Sequence, residues 1–260
     1  MIRLSCICGS YNRAFDAGEM NQLGFLAAAA GLGMQGVELQ DIHFPQTRPA
    51  YLTLLRRTAR QLGLEIMGIG VHNDFGRRDP TLRQSEVTKV KQWVEVAEQL
   101  GAPLVRVFAG YPEGDREARW QPMIHALREA ASFAGHAGVR LGLENHNHGA
   151  FTPTAEPYLR VLREVASPHL VPLVDTGNFT DGWTSLARVL EGAAHVHAKF
   201  WDVREDGSDA RVEYGQIVPA LRRAGYAGWI TFEYETPEPE ATGIPRALGY
   251  LRRLLDAAHA

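Results

Sequence analysis

Short apolar runs, rich in β-branched residues or Leu, alternate with longer amphipathic stretches from one end of the chain to the other. This alternation limits the fold more than any other feature. Eight such pairs can be counted, with predicted strands near residues 2 to 8, 36 to 40, 64 to 71, 103 to 108, 139 to 144, 170 to 175, 194 to 199 and 229 to 233. The intervals read as helices. Between Thr81 and Leu100, for example, Val87, Val90, Val94, Ala97 and Leu100 recur at helical spacing. Gly63, Gly101, Gly138 and Gly225 stand just before strands, where helix C-terminal caps belong. The Pro-rich stretch Thr236 to Pro239 reads as a surface loop leading into a final helix, Ile244 to Ala258. At 260 residues, 45% of them apolar, and with no low-complexity linker, the chain is expected to form one α/β domain spanning residues 1–260. Strand and helix in strict alternation mean a closed parallel barrel or an open doubly wound sheet.

The placement of polar residues favours the barrel. An open sheet gathers its functional residues at one switch point, whereas a (β/α)8 TIM barrel gathers them at the C-terminal ends of many strands. Here Leu-Gly-Leu-Glu144, Pro-Leu-Val-Asp175, Ala-His195-Val-His197 and Ile-Thr-Phe-Glu233 each close an apolar run on a metal-ligating residue, and Arg106 lies between apolar neighbours toward the end of a further run. At one rim, Glu144, Asp175, His197 and Glu233 would bind one divalent cation. Three carboxylates and an imidazole suit a hard or borderline ion, Mn²⁺ foremost, with Mg²⁺, Co²⁺ or Zn²⁺ as alternatives.

Charge and composition narrow the partners. Lys and Arg total 27 against 30 Asp and Glu, and a net charge of -3 leaves no basic footprint for nucleic acid. A small-molecule substrate is expected. Neither a secretory signal nor an apolar run long enough to span a bilayer can be seen, so a cytoplasmic protein without a membrane partner is expected. Cys6 and Cys8, the two cysteines, are read as small apolar residues on one inward face of the first strand. Gly31-Leu-Gly33-Met-Gln-Gly36 fits GxGxxG, and Glu38 follows it, but the pattern leaves a helix and enters a strand, the reverse of a phosphate-cradling loop. It is read as a structural turn.

Four further motifs fall in order after strands five to eight: Glu144-Asn145-His146, Asp175-Thr176-Gly177-Asn178, His195-Val-His197-Ala-Lys199 and Phe232-Glu233-Tyr234-Glu235. Together they resemble the xylose isomerase-like TIM barrels, a superfamily of sugar isomerases, 3-epimerases, inosose dehydratases and endonuclease IV-type repair enzymes, over nearly the whole chain. The resemblance implies the ligand order Glu, Asp, His, Glu. It selects His197 over His195, because the family's ligand precedes a step such as Ala198-Lys199, and leaves His195 as a neighbour in a second layer. Three residues beyond the strand-six Asp the family usually carries His, but this chain carries Asn178, which can orient a substrate but cannot shuttle a proton near neutral pH. Glu235, two beyond Glu233, could also reach the rim, but a loop carboxylate in water is the preferred reading.

Other strand ends supply pocket candidates. His72 is read either as a hydrogen-bonding partner of a substrate oxygen or as a histidine tied to backbone. Arg106 should be paired with Glu38 or Glu144, or face the ligand. Lys199 would steady developing negative charge, or form a structural ion pair. Trp183 and Trp201 are candidates for an aromatic wall. His146 and His148 lie in the loop after Glu144, where hydrogen bonding to substrate is preferred over a second metal. Arg77 and Arg78 could hold a phosphate or carboxylate, although solvation is the commoner fate of such a pair.

The resemblance implies a metal-dependent isomerase or epimerase acting on a small sugar or polyol. Glu144 and Glu233 would remove and return the proton beside a carbonyl through an enediolate. An inosose or keto-sugar dehydratase would use the same first step. The endonuclease reading lacks its extra ligands, since Asp206-Gly-Ser-Asp209-Ala-Arg211 holds no histidine and Asn178 replaces another. A non-catalytic sugar-binding barrel would not need all four ligands. Because barrel enzymes commonly assemble, a homo-oligomer stays open.

Overall fold

The computed structural model describes residues 2–147 and 149–257. Its frame is a closed barrel of eight parallel strands in sequence order: β1 (Arg3–Ile7), β2 (Gly36–Gln40), β3 (Glu65–Gly70), β4 (Leu104–Phe108), β5 (Arg140–Glu144), β6 (Leu170–Asp175), β7 (His195–Phe200) and β8 (Trp229–Tyr234). β8 pairs back onto β1, which leaves no edge strand. No strand end differs from its sequence prediction by more than one residue. Helices follow the strands: α1 (Asn12–Asp16) and α2 (Gln22–Gly31) after β1, then α3 (Pro49–Gln61), α4 (Pro80–Leu100), α5 (Arg116–His136), α6 (Ala155–Val165), α7 (Trp183–Val189), α8 (Tyr214–Arg223) and α9 (Glu240–Asp256). None of the described helices is long and apolar enough to cross a membrane.

Local sequence explains the element ends. α4 starts where the Asp79 carboxylate accepts the Thr81 and Leu82 amides with Pro80 in the first turn. It stops at Gly101, whose φ of 75° suits a residue without Cβ. Gly31 closes α2 and Gly36 opens β2, so the GxGxxG run is a helix-to-strand turn, as its context implied. Two expectations need correction. α9 begins at Glu240, four residues before Ile244, because Arg13 braces its start: the Arg13 amide donates to Glu240, and its guanidinium donates to the carbonyls of Thr236, Pro237 and Glu238. β1 ends at Ile7, and Cys8 opens a 3-10 turn with its Sγ 3.2 Å from His43 Nδ1, so the two thiols are not neighbours on one strand face. Both cysteines are buried and free, and burial pushes the Cys6 thiol up to about 12.

The main core lies between strands and helices, where Val87, Val90, Val94 and Ala97 of α4 join outward residues such as Val105, Leu143 and Val196 in one cluster. Inside the barrel the polarity is graded. Met67, Leu104, Leu173 and Trp229 form a separate apolar plug near the N-terminal end of the strands. Above it, Thr231 Oγ1 lies 2.7 Å from Ser5 Oγ and 2.8 Å from His195 Nε2. Toward the strands' C-terminal ends the lumen holds buried charged residues, among them Arg106, Glu144, Asp175, His197, Lys199 and Glu233. Parallel register sets their neighbours, with Asp175 opposite His197, Lys199 opposite Glu233 and Phe108 opposite Glu144.

α6 is pinned to this frame by Tyr158, fully buried, whose hydroxyl lies 3.0 Å from both the Leu143 and the Leu173 carbonyl oxygens. Tyr158→Phe strips a donor from two buried acceptors and should cost about 1–3 kcal/mol. Urea unfolding should show a lower midpoint at an unchanged m-value; an unchanged midpoint would contradict this role.

Candidate active site

Glu144 from β5, Asp175 from β6, His197 from β7 and Glu233 from β8 offer ligand atoms that all lie within 4.8 Å of one another. Each stands at or near the C-terminal end of a strand, and each is buried. His197 Nδ1 is 3.1 Å from Glu144 Oε1 and 3.3 Å from Glu233 Oε2. The other oxygens of the two glutamates face cations: Glu144 Oε2 is 3.2 Å from Arg106 Nε, and Glu233 Oε1 is 2.8 Å from Lys199 Nζ. Lys199 also approaches Asp175 Oδ2 at 3.6 Å and Glu235 at 3.2 Å.

The donor set fits a divalent cation on its own terms. Asp175 Oδ2 and Glu233 Oε2 are buried with no hydrogen-bond partner among the described residues, whereas Asp175 Oδ1 takes the Gly177 amide at 2.7 Å. Buried acceptors left without a donor are costly, and three carboxylates and an imidazole at this spacing are hard and borderline ligands. The electrostatics agree. Burial, reinforced by Glu233 and Glu144, raises Asp175 well above the usual carboxylate range even though Lys199 opposes it. Burial would raise Glu144 too, but His197 and Arg106 outweigh it and bring the carboxyl down to about 2. Burial is likewise overcome at Glu233, which Lys199 and His197 hold well below its ordinary value. His197 is raised against its burial by Glu38 and Glu144, and Lys199 is raised against its own by Glu233, Asp175 and Glu235.

Above the tetrad opens a cavity of about 470 Å³, a size suited to a small ligand. The sequence-predicted residues His72, Arg106, Glu144, His146, Asn178, Lys199, Trp201 and Glu233 all line it. Arg106 can lie flat inside β4 because Gly70 opposite it lacks a side chain; a Cβ there would come within 2.6 Å of its guanidinium. The same guanidinium stacks over the Phe108 ring at 4.3 Å and donates to the Val71 carbonyl. The His146 ring stacks on Phe108 with centroids 4.6 Å apart. His72 is neither buried nor tied to backbone through its ring; Nδ1 lies 2.6 Å from Asp41 Oδ1, and the ring is 40% exposed on the cavity wall. Trp201 donates from Nε1 to the Gly177 carbonyl, and the Asp209 carboxylate collects the amides of Trp201, Asp202, Arg211 and Val212. The acidic run after β7 is therefore a loop clamp.

One reading is overturned and two are sharpened. Glu235 is an exposed loop carboxylate just past β8, as expected, but it also reaches Lys199 at 3.2 Å and lines the cavity. Trp183, 38% exposed at the start of α7, does not line the cavity. Of the two partners open to Arg106, Glu144 is the one paired with it, while Glu38 turns to His197, with Oε2 2.9 Å from Nε2. His148 lies outside the described residues. Sequence reasoning missed the Glu38 contact, the Asp41 partner of His72, and Phe108 and Tyr111 as aromatic walls. Glu38 carried a usable signal, being a carboxylate between Val37 and Leu39 on the same strand parity as Gln40. Asp41 carried none, since its partner is 31 residues away.

Comparisons with known proteins add to this geometry. A model of the xylose isomerase-like TIM barrel family matches residues 26–254. The chain is similar to the 3'-dehydrocarminate deglycosidase alpha subunit of a Microbacterium species, with 27% identity over 172 residues, or 65% of this chain and 44% of that protein. It is also similar to 2-oxo-tetronate isomerase of Haemophilus influenzae, with 28% identity over 168 residues, or 58% of this chain and 62% of that protein. These matches span about half the length of the two curated relatives. Among solved structures, D-psicose 3-epimerase from Clostridium cellulolyticum H10, crystallised with D-tagatose, aligns with a TM-score of 0.82 at 16% identity, covering 97% of this chain and 99% of that one.

Glu144 titrates at 4.5 in its ordinary state and at about 2 in the folded protein. A depressed carboxyl gives stability that is complete above the higher value and is lost as pH falls toward the lower one. In metal-free protein, Glu144→Gln should therefore flatten the fall in unfolding free energy between pH 4.5 and 2. Urea titrations at successive pH values read the slope; equal slopes in variant and wild type would count against the pairing with His197 and Arg106.

Proposed function

The chain belongs to the xylose isomerase-like TIM barrel family, and from that premise we propose that residues 1–260 act as one barrel domain, a divalent-metal-dependent isomerase or epimerase of a small uncharged sugar or polyol. One observation carries this reading. Of the tetrad, Glu144 and Glu233 line the cavity, whereas Asp175 and His197 are fully buried behind it. The first two can hold an ion and also touch a substrate; the second two can only hold the ion.

When bound, the cation would supply Lewis-acid polarisation of a substrate carbonyl. One of Glu144 and Glu233 would take the proton from the adjacent carbon, leaving an enediolate, and the other would return a proton. Arg106 and Lys199 keep both carboxylates ionised and so able to accept. Lys199, on the cavity wall, would also steady negative charge on substrate oxygens. His72, His146, Asn178 and Trp201 would orient hydroxyls and sugar faces around this centre.

Charge pairing supports an uncharged substrate. Arg77 meets Asp74 at 3.3 Å and Glu113 at 2.8 Å, and Lys89 lies 3.8 Å from both Asp41 and Glu86. Arg106 and Lys199 are committed to the tetrad. A phosphate or carboxylate would have to break one of these pairs. A keto-sugar dehydratase is the second reading, since the same proton abstraction can be followed by loss of a neighbouring substituent. The relative named as a deglycosidase favours it.

The test is a panel of unphosphorylated ketoses, D-tagatose and D-psicose among them, with inososes and keto-sugars, incubated with Mn²⁺ in D₂O and followed by NMR. Deuterium should enter at one carbon, and an unsaturated product would mark the dehydratase. Glu144→Gln and Glu233→Gln should each reduce exchange by about 10²- to 10⁴-fold with unchanged circular dichroism. Wild-type exchange in either variant would refute the two-carboxylate mechanism.

A further inference from the structure

Beneath the tetrad lies a carboxylate that the reaction above does not use. Glu38, in the middle of β2, is fully buried, and its Oε1 has no hydrogen-bond partner among the described residues. Its Oε2 reaches His197 Nε2 at 2.9 Å. β2 and β7 are not neighbours in the barrel, so this contact crosses the lumen. The other nitrogen of the ring, Nδ1, points to Glu144 and Glu233. The imidazole thus has a carboxylate on each side, but only one side holds the four-ligand group.

We propose that Glu38 is a positioning residue for the metal centre: it accepts the Nε2 proton of His197 and so fixes the tautomer whose Nδ1 lone pair faces Glu144, Asp175 and Glu233. The inference rests on the reading that this tetrad binds one divalent ion. An imidazole ligates only through an unprotonated nitrogen, and the hydrogen bond at the opposite nitrogen decides which one that is. A rival arrangement is a second ion among Glu38, His195 and His197, whose ligand atoms also lie within 4.8 Å. It fits less well. It would take both nitrogens of His197 from their partners, and His195 Nε2 is already bonded to Thr231 Oγ1 at 2.8 Å.

Metal affinity tests the proposal without a substrate. The full chain is freed of metal with chelator and titrated calorimetrically with Mn²⁺ and, separately, with Zn²⁺. Wild type should bind one equivalent. Glu38→Leu should weaken binding by about 10- to 100-fold, and Glu38→Gln, which keeps an acceptor oxygen, should lose less. In zinc-loaded wild type labelled with ¹⁵N-histidine, long-range ¹H–¹⁵N spectra should show His197 protonated at Nε2 and bare at Nδ1. Should Glu38→Leu fail to fold, the Gln variant and the wild-type tautomer still decide. Unchanged affinity in both variants, an Nδ1–H tautomer, or a second equivalent of metal lost with Glu38 would each overturn the proposal. Absence of any bound ion in wild type would overturn the tetrad reading as well, so the two failures can be told apart.

Discussion

His197 stands between Glu38 on one side and Glu144 with Glu233 on the other, and the closed polar mouth of this barrel depends on that position. Carboxylates taken out of water are costly unless opposite charge and hydrogen bonds meet them. Here the compensation comes from three buried cationic side chains: His197 and Lys199, each shared among several acidic neighbours, and Arg106, paired with Glu144. Removing His197 or Lys199 therefore leaves more than one buried carboxylate without its cation, and the residues of the mouth hold their places as a network.

The frame makes such a network available at small cost to folding. Stability comes from the layer between strands and helices and from the apolar plug lower in the lumen, both remote from the charges. The strands then carry alternate side chains inward, and parallel register sets Asp175 beside His197 and Lys199 beside Glu233. Space is created by omission: Gly70 of β3 leaves the volume that the Arg106 guanidinium fills. A charged side chain in the lumen and a missing side chain opposite it belong to one packing solution.

Much of this was legible in the sequence. Strand positions followed from apolar periodicity, which burial on both faces imposes, and Glu144, Asp175 and Glu233 were visible as polar residues closing apolar runs. Choosing His197 over His195 required a family likeness, because both lie on one strand parity; the structure separates them by height in the lumen, with His195 bonded to Thr231. What stayed hidden were contacts between elements far apart in sequence. Asp41 with His72 and Glu38 with His197 depend on which strand ends face each other around a circle. Spacing along a chain does not encode that. Trp183 failed for a different reason, since the turn into α7 carries its ring outward.

The loop beyond β7 keeps its shape through the Asp209 carboxylate, which gathers four backbone amides, two of them from the residues that begin the turn. The indole of Trp201 is thereby held against the Gly177 carbonyl before any guest arrives. A substrate of the proposed kind entering from that side would meet a preformed wall and spend little entropy on organising it. Variation in what the wall accepts would then arise by exchanging the ring itself, with the loop beneath left as it is.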